Sequence, residues 1–282
     1  MLWSGRRESG NVDDRRGFSG GRLAIGGGVV GVVIYLLNAF LGGGDLSQIT
    51  QQLPVGSSRE MSAQQKADDD ERSHFVKVVL AETEDVWSKI FVDLGKIYKD
   101  PTLVLFRDYV QSACGNASAA SGPFYCPGNQ QVYIDLSFYQ ELQNRFHAPG
   151  DFAMAYVIAH EVGHHVQNLL GISDKMDLLR NQMNQTEFNR YSVKLELQAD
   201  FLAGVWAHHA QAMDTILEAG DIEEALNAAN AIGDDRLQKQ AQGYIVPDAF
   251  THGTSAQRMY WFKKGFETGD VKQGDTFSAA NL

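Results

Sequence analysis

Cysteine is nearly missing from this chain of 282 residues; Cys114 and Cys126 are the only two. There is no CxxC pair, which excludes a thiolate metal site of that kind, and neither cysteine has a paired base that would make it a nucleophile. The two bound a short stretch running from Gly115 to Pro123. A disulfide closing that loop suits an oxidising compartment, and two reduced core thiols in a cytosolic protein are the alternative. A surplus of positive charge is missing too: 24 Lys and Arg stand against 35 Asp and Glu, a net charge of −11. A body that acidic argues against nucleic acid as a partner. No internal repeat is visible, so a solenoid is set aside. Hydrophobic residues make up 44% of the chain, ample for one globular core with appendages.

Charge is wholly absent from residues 23–41, LAIGGGVVGVVIYLLNAFL. At about 1.5 Å per residue this run spans roughly 28 Å, enough for a hydrocarbon core of about 30 Å. Arg6, Arg7, Arg15, Arg16 and Arg22 precede it, while only Asp45, Arg59 and Glu60 follow closely. That bias predicts a single-pass transmembrane helix at 23–41, with an Arg-rich tail (1–22) in the cytoplasm and the main domain outside, on the periplasmic side of the cytoplasmic membrane. A cleaved signal peptide is the rival reading; its n-region would be long, and Leu37-Asn38-Ala39 lacks a small residue at its first position. Residues 42–66, rich in Gly, Ser and Gln, read as a flexible tether. A folded domain is expected over 67–270 and a C-terminal tail over 271–282.

Apolar residues at helical spacing (Phe75, Val78, Val79, Val86, Ile90, Leu94) predict a long helix over 68–98, ended by Pro101. Residues 102–109 and 130–135 read as strands. Residues 221–240 read as an Ala-rich helix, and Tyr260, Trp261, Phe262 and Phe266 mark an aromatic closing helix.

Between these lies His160-Glu161-Val162-Gly163-His164, an H-E-x-x-H segment. On a helix, residues i and i+4 share a face, so His160 and His164 can grip one metal ion. Glu161 then projects beside them, where a carboxylate can take a proton from an attacking water. The apolar run from Phe152 through Leu170 suits a buried helix, bounded by Pro149-Gly150 and Gly171. The bland alternative is two histidines on a helix surface. Gly163 in a helix costs roughly 1 kcal/mol relative to Ala, which close packing or a gap beside a metal would explain. His165 reads as structural or exposed, and His208-His209 as favourable charge near a helix C-terminus.

A catalytic Zn2+ takes three protein ligands and keeps one position open. Glu187, Glu196, Asp200, His208, His209 and His252 are available for the third. Glu196 is the best placed, in an apolar helical stretch with Asp200 four residues on and hence on the same face. Asp200 could accept the free N–H of a ligand histidine and fix its tautomer; a solvated surface acid is the plain alternative for each.

HEVGH followed by ELQAD resembles the gluzincin pattern, H-E-x-x-H then E-x-x-x-D. The whole chain, from its Trp-Ser-Gly-Arg-Arg-Glu-Ser start to about Gly269, resembles the neutral zinc metallopeptidases of bacteria, which are single-pass membrane proteins. The resemblance implies an α+β, mainly helical, zincin-like domain with a small antiparallel sheet before the metal-binding helix. It also implies that residues 124–132 form an edge strand able to hold an extended peptide. Thr251-His252-Gly253 is similar to a Ser/Thr-His-Pro element of membrane gluzincins whose histidine stabilises the oxyanion, with Gly253 departing from that pattern. His252 could instead cap the helix that follows, and Arg258 could pair with Asp200 or be solvated. The implied function is zinc-dependent hydrolysis of peptide or protein substrates, with His160, His164 and Glu196 as ligands, Glu161 as general base and His252 as oxyanion donor. A zinc-stabilised docking or scaffold protein of the cell envelope is the alternative, against which the retained Glu161 speaks.

Overall fold

The computed structural model of the chain describes residues 1–17 and 61–279. Helix α1 (Ala63–Asp93) starts at a capping box, in which Ser62 accepts from the Gln65 amide and the Gln65 side chain accepts from the Ser62 amide. It ends at Leu94, where Gly95 turns the chain, short of the end at residue 98 that the apolar spacing predicts. One face buries Phe75, Val79, Leu80, Trp87 and Phe91. That face lies against α3 (Asp151–Leu169), the central helix of the core, whose residues Phe152 to Gly163 are all buried. Each such apolar side chain contributes about 1.5–3 kcal/mol by leaving water.

Helix α3 also packs on α5 (Gln185–Asp214) and on α6 (Asp221–Ala231). Gly163 belongs to close packing: a Cβ there would lie 3.0 Å from the carbonyl oxygen of Ala199 on α5. The closing helix α8 (Ser255–Thr268) lies almost backbone to backbone on α5. A Cβ at Gly265 would fall 2.0 Å from the carbonyl oxygen of Phe201, and one at Gly204 would fall 2.1 Å from that of Phe262. Residues 221–240 are not one helix. Ile232 and Gly233 separate α6 from α7 (Asp234–Gln242), and Gly233 abuts Ser255, leaving no room for a side chain. Among the described residues there are two shorter helices, α2 (Phe138–Asn144) and α4 (Ile172–Arg180).

The fold is mainly helical α+β with small sheets, but the main sheet is mixed where an antiparallel one was expected. Strands β1 (Val12–Asp14), β2 (Thr102–Phe106) and β6 (Gln131–Asp135) run parallel, and only β5 (Phe124–Cys126) is antiparallel to its neighbour; the order is β1-β2-β6-β5. Parallel neighbours need a long crossover, and residues 107–130 supply it. They contain the hairpin of β3 (Tyr109–Ser112) and β4 (Gly115–Ser118), then β5 at the sheet's edge. A disulfide between Cys114 and Cys126 ties hairpin to edge strand.

The Arg-rich segment is not a separate tail. Residues 12–14 are the first strand of the sheet, and Trp3 meets Phe75 edge-on with ring centres 5.5 Å apart. Among the described residues, the arginines that precede the uncharged run are paired with acids. Arg6 meets Glu82 at 3.1 Å, Arg7 meets Glu84 at 3.1 Å and Asp85 at 2.9 Å, and Arg16 meets Asp14 and Asp69. The terminal ammonium of Met1 sits among Asp151, Glu218 and Asp221, at 2.8, 3.0 and 3.2 Å. Nor is the other end loose: Thr276 donates to the Lys194 carbonyl on α5 at 2.6 Å, and Lys194 donates to that of Phe277 at 2.8 Å. No helix among the described residues is long and apolar enough to cross a membrane; the apolar run 23–41 and the tether up to residue 60 lie outside them.

Candidate metal centre

Helices α3 and α5 cross where each carries its polar residues. The i, i+4 spacing puts His160 and His164 on the α3 face that meets α5, and Glu196 on α5 points back between them. Glu196 Oε2 is 3.1 Å from His160 Nε2, and Oε1 is 3.5 Å from His164 Nε2. The three residues offer ligand atoms that all lie within 4.8 Å of one another. In a tetrahedral zinc site, bonds of about 2.0–2.1 Å set ligand atoms roughly 3.3 Å apart, so this donor set fits the ion in both chemistry and spacing.

The outward nitrogens of both histidines are already engaged. His160 Nδ1 lies 2.8 Å from Asp200 Oδ1, and His164 Nδ1 lies 2.9 Å from Gln167 Oε1. With an acceptor at each Nδ1, each ring holds a proton there and presents Nε2 inward as the atom a metal would take. Asp200 is fully buried and accepts four hydrogen bonds: from Tyr156 Oη at 2.5 Å, from His160, and from Arg258 Nε and Nη2 at 2.8 and 2.9 Å. Burial pushes its carboxyl up, but Arg258 and His160 outweigh that and hold it at about 2. The pairing of Arg258 with Asp200, open on sequence alone, joins α8 to the back of the site.

Around His160 and His164, burial favours the neutral imidazole, but the facing carboxylates outweigh it. Asp200 and Glu196 raise His160 to about 10, and Glu196 raises His164. Burial pushes Glu196 up, and His164 and His252 more than offset this, holding it well below the usual carboxylate range. A proton and a metal ion therefore compete for the same inward nitrogens. Glu161 is buried beside this group without belonging to it. Burial pushes its carboxyl up, with His160 and His164 opposing and the Tyr125 backbone amide a smaller opposing influence. That amide belongs to β5, so the sheet's edge strand borders the site.

His252 approaches from the loop before α8 and is half exposed. It is near enough to Glu196 for each charge to shift the other: burial lowers the His252 pKa, and Glu196 and Asp234 more than reverse this. It does not cap α8, whose cap is Thr254. The loop is wrapped on Asp234, whose Oδ2 accepts from the amides of Thr251, His252 and Gly253 at 2.7, 2.6 and 3.1 Å. The departure at Gly253 has a local reason: φ is +89°, and its amide is used. Proline, locked near −65° and lacking an N–H, supports neither.

His165 faces away from the site. Its Nε2 donates to the Lys99 carbonyl at 2.6 Å, and its Nδ1 accepts from Tyr125 Oη at 3.0 Å, docking β5 on α3. His208 and His209 bond the carbonyls of Phe266 and Gly269 from near the C-terminal end of α5, which runs on to Asp214. Glu187 belongs to the capping box that starts α5. Sequence reasoning missed Tyr156, Gln167 and Asp234. The first two were findable: Tyr156 is four residues before His160 and Gln167 three after His164, both on the ligand face.

Two histidines and one carboxylate form a candidate metal-binding group, with a further acid adjoining it, in the donor pattern that catalytic zinc takes. The chain belongs to the family described as "Putative neutral zinc metallopeptidase", whose model matches residues 1–277. It is 51% identical over 285 residues to the uncharacterized protein YpfJ of Escherichia coli K12, covering 98% of this chain and 99% of that one. It is 42% identical over 220 residues to the uncharacterized protein Rv2575 of Mycobacterium tuberculosis H37Rv, covering 74% of this chain and 73% of that one. No solved structure matches the chain.

Proposed function

We propose that the chain is a zinc metallopeptidase in which His160, His164 and Glu196 hold Zn2+ and Glu161 is the general base. One observation carries this: a buried carboxylate, Glu161, stands beside a three-donor set without being part of it. A purely structural zinc site prefers four closed ligands and needs no such acid, which weighs against a silent docking or scaffold protein. Bound here, Zn2+ supplies Lewis acidity at neutral pH. Glu161 takes the proton of the attacking water on its carboxylate and delivers it to the departing amine nitrogen. Its raised pKa brings that exchange nearer neutrality. His252, held by Asp234, faces the same space and donates to the oxygen that develops negative charge. The free edge of β5 takes an extended peptide by main-chain hydrogen bonds. Removing the metal with a chelator should abolish cleavage of an unfolded protein substrate, and one equivalent of Zn2+ should restore it. Cleavage that survives complete metal removal contradicts the proposal.

We also propose that residues 23–41 contact the cytoplasmic membrane while the N-terminal segment and the metal site share its outer side. The uncharged run and the Cys114–Cys126 disulfide support the location. Packing of residues 1–17 on α1 and β2 supports the shared side. A single crossing with the two parts on opposite faces would separate strand β1 from its sheet.

A further inference from the structure

His164 is oriented by an amide, and that amide is itself held in place. Gln167 is buried, and its Nε2 donates to the Leu195 carbonyl at 2.7 Å and to Gln198 Oε1 at 3.1 Å. Both amide hydrogens are thereby used, and a flipped amide would set Oε1 against the Leu195 carbonyl. The oxygen must therefore face His164 Nδ1, which must donate to it. Gln198 is fixed the same way, because its Nε2 donates to the Gly274 carbonyl at 2.8 Å. The backbone at Gly274 reaches this position only as glycine; a Cβ there would lie 2.5 Å from the Phe201 ring. A directional relay thus runs from Gly274 through Gln198 and Gln167 to His164, from the strapped C-terminal segment to one metal ligand.

We propose that Gln167 is the positioning residue of His164, and that residues 274–277 set its orientation through Gln198. The proposal rests on the zinc-binding part of the function proposed above. Partners of this kind typically hold a metal ligand's tautomer and ring angle, and their loss weakens metal binding 10–100-fold.

The test is Zn2+ affinity of the full chain, by competition with a chromophoric chelator, with no substrate present. Gln167→Leu should weaken binding about 10–100-fold. Gln167→Glu discriminates, because a carboxylate presents an acceptor to His164 whichever way it turns and so needs no relay, although both donated bonds are lost. Near wild-type affinity in Gln167→Glu is the expected result, whereas a merely structural role predicts that it fails with Gln167→Leu. Gln198→Leu should weaken binding to a lesser degree, and it decides the matter if Gln167→Leu does not fold. Unchanged affinity in Gln198→Leu overturns the relay, and Gln167→Glu failing with Gln167→Leu, or wild-type affinity in a folded Gln167→Leu, overturns the positioning role. A chain that binds zinc in this pattern yet cleaves nothing would defeat the peptidase reading and leave the relay standing.

Discussion

Asp200 carries two loads, and one pair of variants should separate them. It is fully buried and neutralises Arg258, which is only 2% exposed, while orienting His160 through Nδ1. Asp200→Leu leaves the Arg258 charge buried without a partner, which typically costs about 3–5 kcal/mol. Set against a domain stability of about 5–15 kcal/mol, that is a large share. Adding Arg258→Met removes the orphaned charge. What remains is the loss of a partner at Tyr156 Oη and His160 Nδ1, about 1–3 kcal/mol each. The double variant should therefore be more stable than Asp200→Leu alone. Zinc affinity should behave otherwise, because nothing in the double variant restores the acceptor at His160. Both variants should bind Zn2+ about 10–100-fold more weakly than wild type. Urea unfolding of the full chain in excess chelator gives the stabilities, and chelator competition gives the affinities. A single variant within about 1 kcal/mol of wild type would refute the buried-pair argument, and recovered zinc affinity in the double variant would refute the orienting role.

The folded pKa of His165 is about 4, chiefly through burial, whereas an unfolded histidine titrates near 6.5. Above that value both states are neutral and the contribution is complete; as pH falls from about 6.5 to about 4 the unfolded state takes the proton first and stability is lost. The full loss approaches about 3 kcal/mol, and chelated His165→Gln should show a shallower stability–pH slope in that window; equal slopes would contradict it. Cysteines placed at Leu2 and at Val92, both exposed, should react with a membrane-impermeant maleimide under the same conditions in intact cells. Reaction of one in intact cells and of the other only after lysis would restore the split topology.

The candidate donor cluster was legible because helical spacing maps directly onto a face: His160 with His164, and Glu196 with Asp200, need only the period of the helix. The positions of β2 and β6 were legible from their apolar residues, while β1, β3 and β4 were not. Strand direction was not legible, since short apolar runs such as those at residues 102–106 and 131–135 read the same whichever way a neighbour runs. Arg258 and Asp200 are 58 residues apart, and no local pattern tells a buried pair from two solvated charges. The acid partners of the N-terminal arginines were hidden for the same reason. The number and position of those arginines fit a membrane flank, and the partners that absorb them, Glu82, Glu84 and Asp69, lie on a helix far along the chain. The 221–240 helix failed at Gly233, where contact with Ser255 rather than local propensity breaks the run.

The claim at the centre of this account is that Glu161 moves the proton while three other side chains hold the metal. Full-length wild type and Glu161→Gln, each with its zinc content determined, should be compared on a peptide library. Equal zinc with cleavage by wild type alone is the predicted result. Cleavage by a zinc-loaded Glu161→Gln protein at the wild-type rate, or zinc in both and cleavage by neither, would contradict it.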